Sequence, residues 1–278
     1  MGALNTPQTD WPLMMNDQAF FTFDKLGYVF PDNTVALHDI NWQIAGGAFH
    51  CLVGRSGCGK TTLLKLAAGL IRPTTGQVRM QEQPVLGPSQ DVGFVFQTPA
   101  LLEWLSVIDN ILLPISLHRT VTPEDKDRGF AVLESVGIAS LATRYPRQLS
   151  GGQQSRAALA RALLPAPTAL LMDEPFAALD AITREELQDD LLGLVAFHRT
   201  SVVFVTHDIT EAVYLGDQVV LMEQGRISQV TEIDLAVPRL ENCRYEPSFA
   251  HHCQSIRSAM ADQRMPDQRM AVKTLGDG

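Results

Sequence analysis

Short apolar runs that each end in a polar residue recur along this chain of 278 residues. Phe49-His50-Cys51-Leu52-Val53 leads into a glycine-rich stretch, and Val92-Gly93-Phe94-Val95-Phe96 ends at Gln97. Ala169-Leu170-Leu171-Met172 ends at Asp173-Glu174, and Ser201-Val202-Val203-Phe204-Val205 at Thr206-His207. Runs of this length, bounded by turn residues, predict buried strands. Helical patterns lie between them. Residues 62–68 follow the glycine-rich stretch. Thr122-Pro123-Glu124-Asp125 opens a helix, with Thr as N-cap and Pro in the first turn; Phe130, Leu133 and Val136 carry it and Gly137 closes it. Residues 150–164, stopped by Pro165, and 183–198 complete the set. Strands that alternate with helices predict an α/β fold with a parallel core sheet. Phe21-Thr22-Phe23, Val35-Ala36-Leu37 and residues 40–44, with a turn at Pro31-Asp32-Asn33, predict an N-terminal run of strands. A hairpin is expected across Glu223-Gln224-Gly225-Arg226. Residues 1–19 form a loose lead-in, 20–232 the main domain with a helical insert over 98–165, and 233–278 a short extension with a polar, mobile end.

The stretch Gly54-Arg55-Ser56-Gly57-Cys58-Gly59-Lys60-Thr61 fits G-x-x-x-x-G-K-[ST], with a strand before it and a helix after it. Successive amides of such a loop converge on an anion at a helix N-terminus, where the dipole favours negative charge. Lys60 would reach the β/γ oxygens of a nucleotide, Thr61 would put its hydroxyl on Mg²⁺, and Thr62 adds to the same helix start. In α/β sheets the functional loops lie at the carboxyl ends of strands. Asp173 is placed there to hold Mg²⁺, and Glu174 to polarise an attacking water, the two requirements of phosphoryl transfer. Gln97 and His207 end neighbouring strands, and His207 would touch the γ-phosphate. Leu149-Ser150-Gly151-Gly152-Gln153 supplies a second anion-binding helix start. Two such starts in one domain are most simply explained by a two-fold dimer that brings one from each subunit to the same nucleotide.

Composition narrows the setting. The net charge of −9 argues against a nucleic-acid partner, whose footprint would be a basic patch. Cys51, Cys58, Cys243 and Cys253 are too scattered for a disulfide framework, which points to a reducing cytosol. No apolar run reaches membrane-spanning length, and the first residues lack the features of a signal peptide. His251-His252-Cys253 has no second ligand pair at useful spacing, so a solvated helix face is expected there.

Taken together, these motifs resemble the ATP-binding subunit of ATP-binding-cassette (ABC) transporters. In family order they are Walker A at residues 54–61, the Q-loop Gln97, the signature at 149–153, Walker B ending at Asp173, the catalytic Glu174, the D-loop Ala178-Leu179-Asp180 and the switch His207. The resemblance implies a P-loop NTPase with a mainly parallel core sheet, an N-terminal antiparallel β subdomain and a helical signature subdomain. It implies ATP and Mg²⁺ as cofactors, with Gln97 beside the metal, Asp180 near the nucleotide and an aromatic under adenine, for which Phe30 fits best and Tyr28 second. The implied partners are a second copy, integral membrane permease subunits and, indirectly, a periplasmic or extracellular solute-binding protein. The implied location is peripheral, on the cytoplasmic face of the inner membrane. Ala177 and Ser155 depart from common family residues. Residues 96–105 and the tail Val237-Pro238-Arg239 with Pro247-Ser248-Phe249 resemble the import branch for nitrate, sulfonate and taurine. A P-loop kinase has no use for the signature helix. A repair or chromosome ATPase, the alternative in another class, would carry a long heptad insert or a basic face.

Overall fold

A computed structural model describes residues 19–262, apart from the side chains of residues 197, 198 and 241. The chain opens with a hairpin of β1 (Ala19–Val29) and β2 (Val35–Ala45). β3 (Phe49–Gly54) then leads into α1 (Lys60–Ala67), and β4 (Thr75–Met80) and β5 (Gln83–Pro84) return to the hairpin. After β6 (Val92–Val95), residues 98–165 hold α2 (Val107–Ser116), α3 (Pro123–Ser135) and α4 (Gly151–Leu163). β7 (Ala169–Asp173), α5 (Ala181–His198), β8 (Ser201–Val205) and α6 (Ile209–Leu215) follow. A hairpin of β9 (Gln218–Glu223) and β10 (Arg226–Glu232) precedes α7 (Pro247–Asp262).

These strands form two sheets. The antiparallel one has the order β2-β1-β4-β5, and the core sheet β10-β9-β3-β8-β7-β6. In the core sheet every pairing is parallel except that of the edge strand β10 with β9. β3, β7 and β8 are buried at every position because both faces of the sheet are covered. Alternate side chains divide the core. Leu52, Leu171, Val203, Val205 and Val220 pack with α1 and the antiparallel sheet. Cys51, Val53, Leu170, Met172, Val202 and Phe204 pack with the helices that follow, from α2 to α7. The helix carrying the phosphate loop and the helix carrying the signature therefore lie on opposite faces of one sheet.

Local signals set the boundaries. Thr122 and Asp125 form a reciprocal capping box at α3, and Gly137 adopts φ 71° just past its end. The three apolar fragments expected upstream are instead two long strands. Register shifts between Phe23 and Leu26, and left-handed Lys25 and Asp39, interrupt the alternation without ending the pairing. α6 has no counterpart among the expected helices: it is only 7 residues long, capped by Asp208. The segment after residue 232 packs into the core as far as it is described, through Ile233, Leu235, Phe249, Cys253 and Ile256. The lead-in over residues 1–18 and the polar end over 263–278 lie outside the described residues. Among the described residues no helix is long and apolar enough to cross a membrane.

Candidate active site

β3, β8, β7 and β6 are neighbours and parallel, so the four polar strand ends share one edge of the sheet. At β3 the chain turns through Gly54 to Gly59 into α1. A Cβ on Gly54 would stand 2.4 Å from the Met222 carbonyl oxygen, so the loop packs directly on the β9 backbone. Gly59, the N-cap of α1, has φ 104°, and a Cβ there would meet Ala36 O at 2.8 Å. That approach sets the β1–β2 hairpin against the loop; Phe30, just past β1, is exposed and edge-on to Tyr28 at 5.1 Å. Arg55, Ser56 and Gly57 are exposed, whereas Cys58, Lys60 and Thr62 are buried. The Lys60 ammonium donates to the carbonyls of Gly54 at 2.8 Å and Arg55 at 3.1 Å, which holds a positive charge inside the loop.

The other strand ends converge on a pair of carboxylates. Thr61 Oγ1 donates to Asp173 Oδ1 at 3.0 Å. Burial pushes the Asp173 carboxyl up and Glu174 adds to that, while the Thr61 hydroxyl and the lysines Lys65 and Lys60 oppose it. A hydroxyl and a carboxylate are the hard oxygen donors that Mg²⁺ takes alongside substrate phosphates, so these residues fit the metal. Glu174 is left-handed, with φ 45°, and its amide donates to Val205 O at 2.9 Å. Its carboxylate faces the next two strand ends: Gln97 Nε2 donates to Oε2 at 3.4 Å, and His207 Nδ1 lies 3.1 Å from the same oxygen. Asp173 and Glu174 thus face different partners.

Ser150 caps α4 by accepting from Gln153 N, and Gln153 Oε1 accepts from Ser150 N, a reciprocal box that satisfies two amides at an exposed helix start. Gly151 and Gly152 occupy the first turn, where amides have no helical acceptor. Asp180 caps α5: its carboxylate accepts from the Thr183 amide at 3.0 Å and hydroxyl at 2.8 Å, which hold it below the usual carboxylate range. The strand ends therefore gather Thr61, Asp173, Glu174, Gln97 and His207 in one place. Ser150, Gly151, Gly152 and Gln153 stand on the helices of the opposite sheet face.

Two arginines escaped the sequence reading. Arg161 of α4 donates to the carbonyls of Pro99 and Ala100, both at 2.8 Å, and pins the segment after Gln97. Arg184 donates to Leu179 O at 2.8 Å, directly before Asp180. Both lie on helices whose apolar pattern, read alone, gives their polar positions no weight. Of the histidine and cysteine cluster, His251 is exposed but Cys253 faces the core. Ser155 is likewise buried.

Residues 37–177 match the ABC transporter family. The chain belongs to that family. It is an ATP-binding cassette with ATPase chemistry and the α/β fold that this entails. Among relatives, the nitrate import ATP-binding protein NrtD of Synechococcus elongatus is 44% identical over 228 residues, which cover 79% of this chain and 83% of that protein. The aliphatic sulfonates import ATP-binding protein SsuB 2 of Burkholderia cenocepacia is 43% identical over 242 residues, 86% of each chain. A dimeric ATP-binding cassette in a post-hydrolysis state, bound to ADP and Pi, superposes with a TM-score of 0.70 at 29% identity, covering 78% of this chain and all of that one. The cassette cbiO1 of Clostridium perfringens, part of an ABC transporter complex, gives a TM-score of 0.72 at 25% identity over 92% of this chain. A role in DNA repair is not favoured beside these transporter relatives.

Proposed function

We propose that this cassette hydrolyses ATP to drive import of a small anion of the nitrate, sulfonate or taurine class. It works as a homodimer on membrane permease subunits, peripheral to the cytoplasmic face, with a periplasmic or extracellular solute-binding protein delivering the solute. Nucleic acid has no part in it. The observation that carries the catalytic reading is the meeting of Gln97 and His207 on the Glu174 carboxylate, beside the Thr61–Asp173 pair.

Residues 54–62 bind the phosphates through the loop amides, and Lys60 exchanges its carbonyl partners for β/γ oxygens. Thr61, Asp173 and Gln97 would hold Mg²⁺, whose charge would offset that of the phosphates. Glu174 accepts a proton from water as that oxygen attacks the γ-phosphorus and the bond to the β-phosphate oxygen breaks, leaving ADP and phosphate. Gln97 and His207 fix the Glu174 oxygen and orient the water. Adenine stacks on Phe30. The partner subunit's Ser150, with its neighbours Gly151, Gly152 and Gln153, closes over the γ-phosphate, and Asp180 lies at the same seam. Supporting this, α1 and α4 pack on opposite faces of the sheet, which keeps the two helix starts of one chain on different elements.

Glu174→Gln tests the assignment: turnover falls by about 10²–10⁴ while ATP still binds. Near-normal turnover sinks the role of Glu174. For the dimer, mixing Lys60→Ala and Ser150→Arg chains restores one intact site per heterodimer. Activity no higher than that of either single variant counts against a shared site. The solute class is read from the ATPase of the assembled transporter, which nitrate, an alkanesulfonate or taurine should stimulate and a sugar should not.

A further inference from the structure

α5 and α6 are joined by polar contacts that ascend both helices together. Arg184 NH1 lies 3.7 Å from Asp208 Oδ2, Gln188 Nε2 donates to Glu211 Oε1 at 3.0 Å, and the Tyr214 hydroxyl donates to Asp189 Oδ1 at 2.6 Å. Arg244, from the segment after β10, closes the far end. It donates to Gln188 Oε1 at 2.9 Å and lies over the Tyr214 ring at 3.3 Å. The helix pair is thus tied at three levels, the first of them at the turns that begin the two helices. The first level stands nearest the chemistry. The same Arg184 guanidinium that meets Asp208 also donates to Leu179 O at 2.8 Å, the residue before Asp180. Asp208 follows His207 directly. It caps α6 by accepting from the amides of Thr210 at 2.8 Å and Glu211 at 3.4 Å, so its position is tied to the helix. Arg184 Nε is buried without a hydrogen-bond partner, a cost that the two contacts at the guanidinium tip must offset.

Resting on the hydrolytic site described above, we propose that Arg184 is a positioning residue for hydrolysis. One planar, forked cation ties the turn carrying Asp180 to the turn carrying His207, and so fixes His207 against Glu174. Asp180 stands at the seam with the second copy and His207 at the chain's own nucleotide, so the tie also links the two. The sequence spacing suits this role, because Arg184 lies one helical turn beyond the cap at Asp180, where a side chain returns to the loop before the helix.

Arg184→Gln keeps a donor for Leu179 O but no charge for Asp208, whereas Arg184→Lys keeps the charge but reaches only one partner at a time. In the full-length chain, R184Q should lower kcat by about tenfold or more while the affinity for a fluorescent ATP analogue stays within about twofold. R184K should fall between R184Q and the parent. The melting temperature of each variant should stay within about 4 °C of the parent. An unchanged kcat in R184Q overturns the proposal, as does a loss of nucleotide affinity and melting temperature in step with kcat, which would mark a purely structural role. Should R184Q fail to fold, R184K is judged on the same readouts, and a parental kcat there overturns the proposal. Glu174→Gln is measured in parallel. If it keeps its turnover, the hydrolytic site itself is misassigned; if it is inactive while R184Q is unimpaired, only the positioning role falls.

Discussion

Gly151 and Gly152 are adjacent, both in the first turn of α4, and an added methyl should act on them in opposite directions. At Gly151 a Cβ meets nothing within 4 Å. Alanine there restricts the unfolded chain and should stabilise the fold by up to about 0.5–1 kcal/mol. At Gly152 the Cβ would stand 2.7 Å from Thr183 Cγ2. Thr183 is poorly placed to yield, because its hydroxyl donates to Asp180 Oδ2 at 2.8 Å and its amide to Asp180 Oδ1 at 3.0 Å. Turning the methyl aside breaks the hydroxyl contact; keeping it pushes α4 from α5. Overpacking of this kind costs about 1–3 kcal/mol. Set against the same alanine gain, Gly152→Ala should be destabilised by about 1 kcal/mol net, or about 2–4 °C in melting temperature for a chain of this size. Urea unfolding followed by circular dichroism measures both variants. Thr183→Ser supplies the internal control, since it removes the offending methyl and keeps the hydroxyl on Asp180. In that background Gly152→Ala should become as tolerable as Gly151→Ala. Equal stability of the two alanine variants, or no relief from Thr183→Ser, refutes the steric reasoning.

Two further expectations concern pH and adenine. His50 is buried on β3 beside Trp42, and burial pushes its pKa down to about 4 from 6.5, with the Gln218 side chain opposing part of the shift. Above pH 6.5 it is neutral in both states and contributes nothing; between pH 6.5 and 4 the unfolded chain takes up a proton that the fold refuses, removing about 3 kcal/mol of stability. His50→Gln should flatten this fall in unfolding free energies measured across that window, and parallel profiles would exclude His50 as its source. Phe30→Ala should weaken ATP binding by the worth of one stacked base, about 1–3 kcal/mol, in a calorimetric titration. A larger loss in Tyr28→Ala than in Phe30→Ala would move the adenine platform to Tyr28.

The phosphate loop and the four polar strand ends were legible because they rest on local rules. Glycine at fixed spacing, and apolar runs that stop at a charged or amide side chain, do not depend on distant parts of the chain. The N-cap at Thr122 and the helix start at Ser150 were legible for the same reason, though not their reciprocal capping boxes. What stayed hidden is tertiary. Lys25 and Asp39 look like breaks in the alternation, because a bulge shifts the pattern while the partner strand continues. Phe249, Cys253 and Ile256 have the i, i+4, i+7 spacing of a buried helix face, yet the polar residues around them suggested an appendage. Arg184 and Arg161 act by reaching carbonyls on other segments, and no one-dimensional pattern marks such a carbonyl.

In the proposed homodimer, the placement of these hidden contacts bears on how the two sites would communicate. The signature glycine Gly152 abuts Thr183, Thr183 is bonded to Asp180, and Arg184 spans from Leu179 to Asp208, whose neighbour His207 meets Glu174. Every link is a direct contact within one chain, and the series begins at a helix start on one side of the sheet and ends at the strand edge. Under the shared-site reading, its first member touches the nucleotide held by the other subunit and its last member acts on the chain's own. Closure of one site would then be felt at the other without passing through the apolar core. The links differ in character: the Gly152–Thr183 contact transmits only a push, because it is steric, whereas Arg184 transmits push and pull, because it is hydrogen-bonded to Leu179 and ion-paired with Asp208. Loss of the guanidinium should therefore uncouple the sites more than a small displacement of α4.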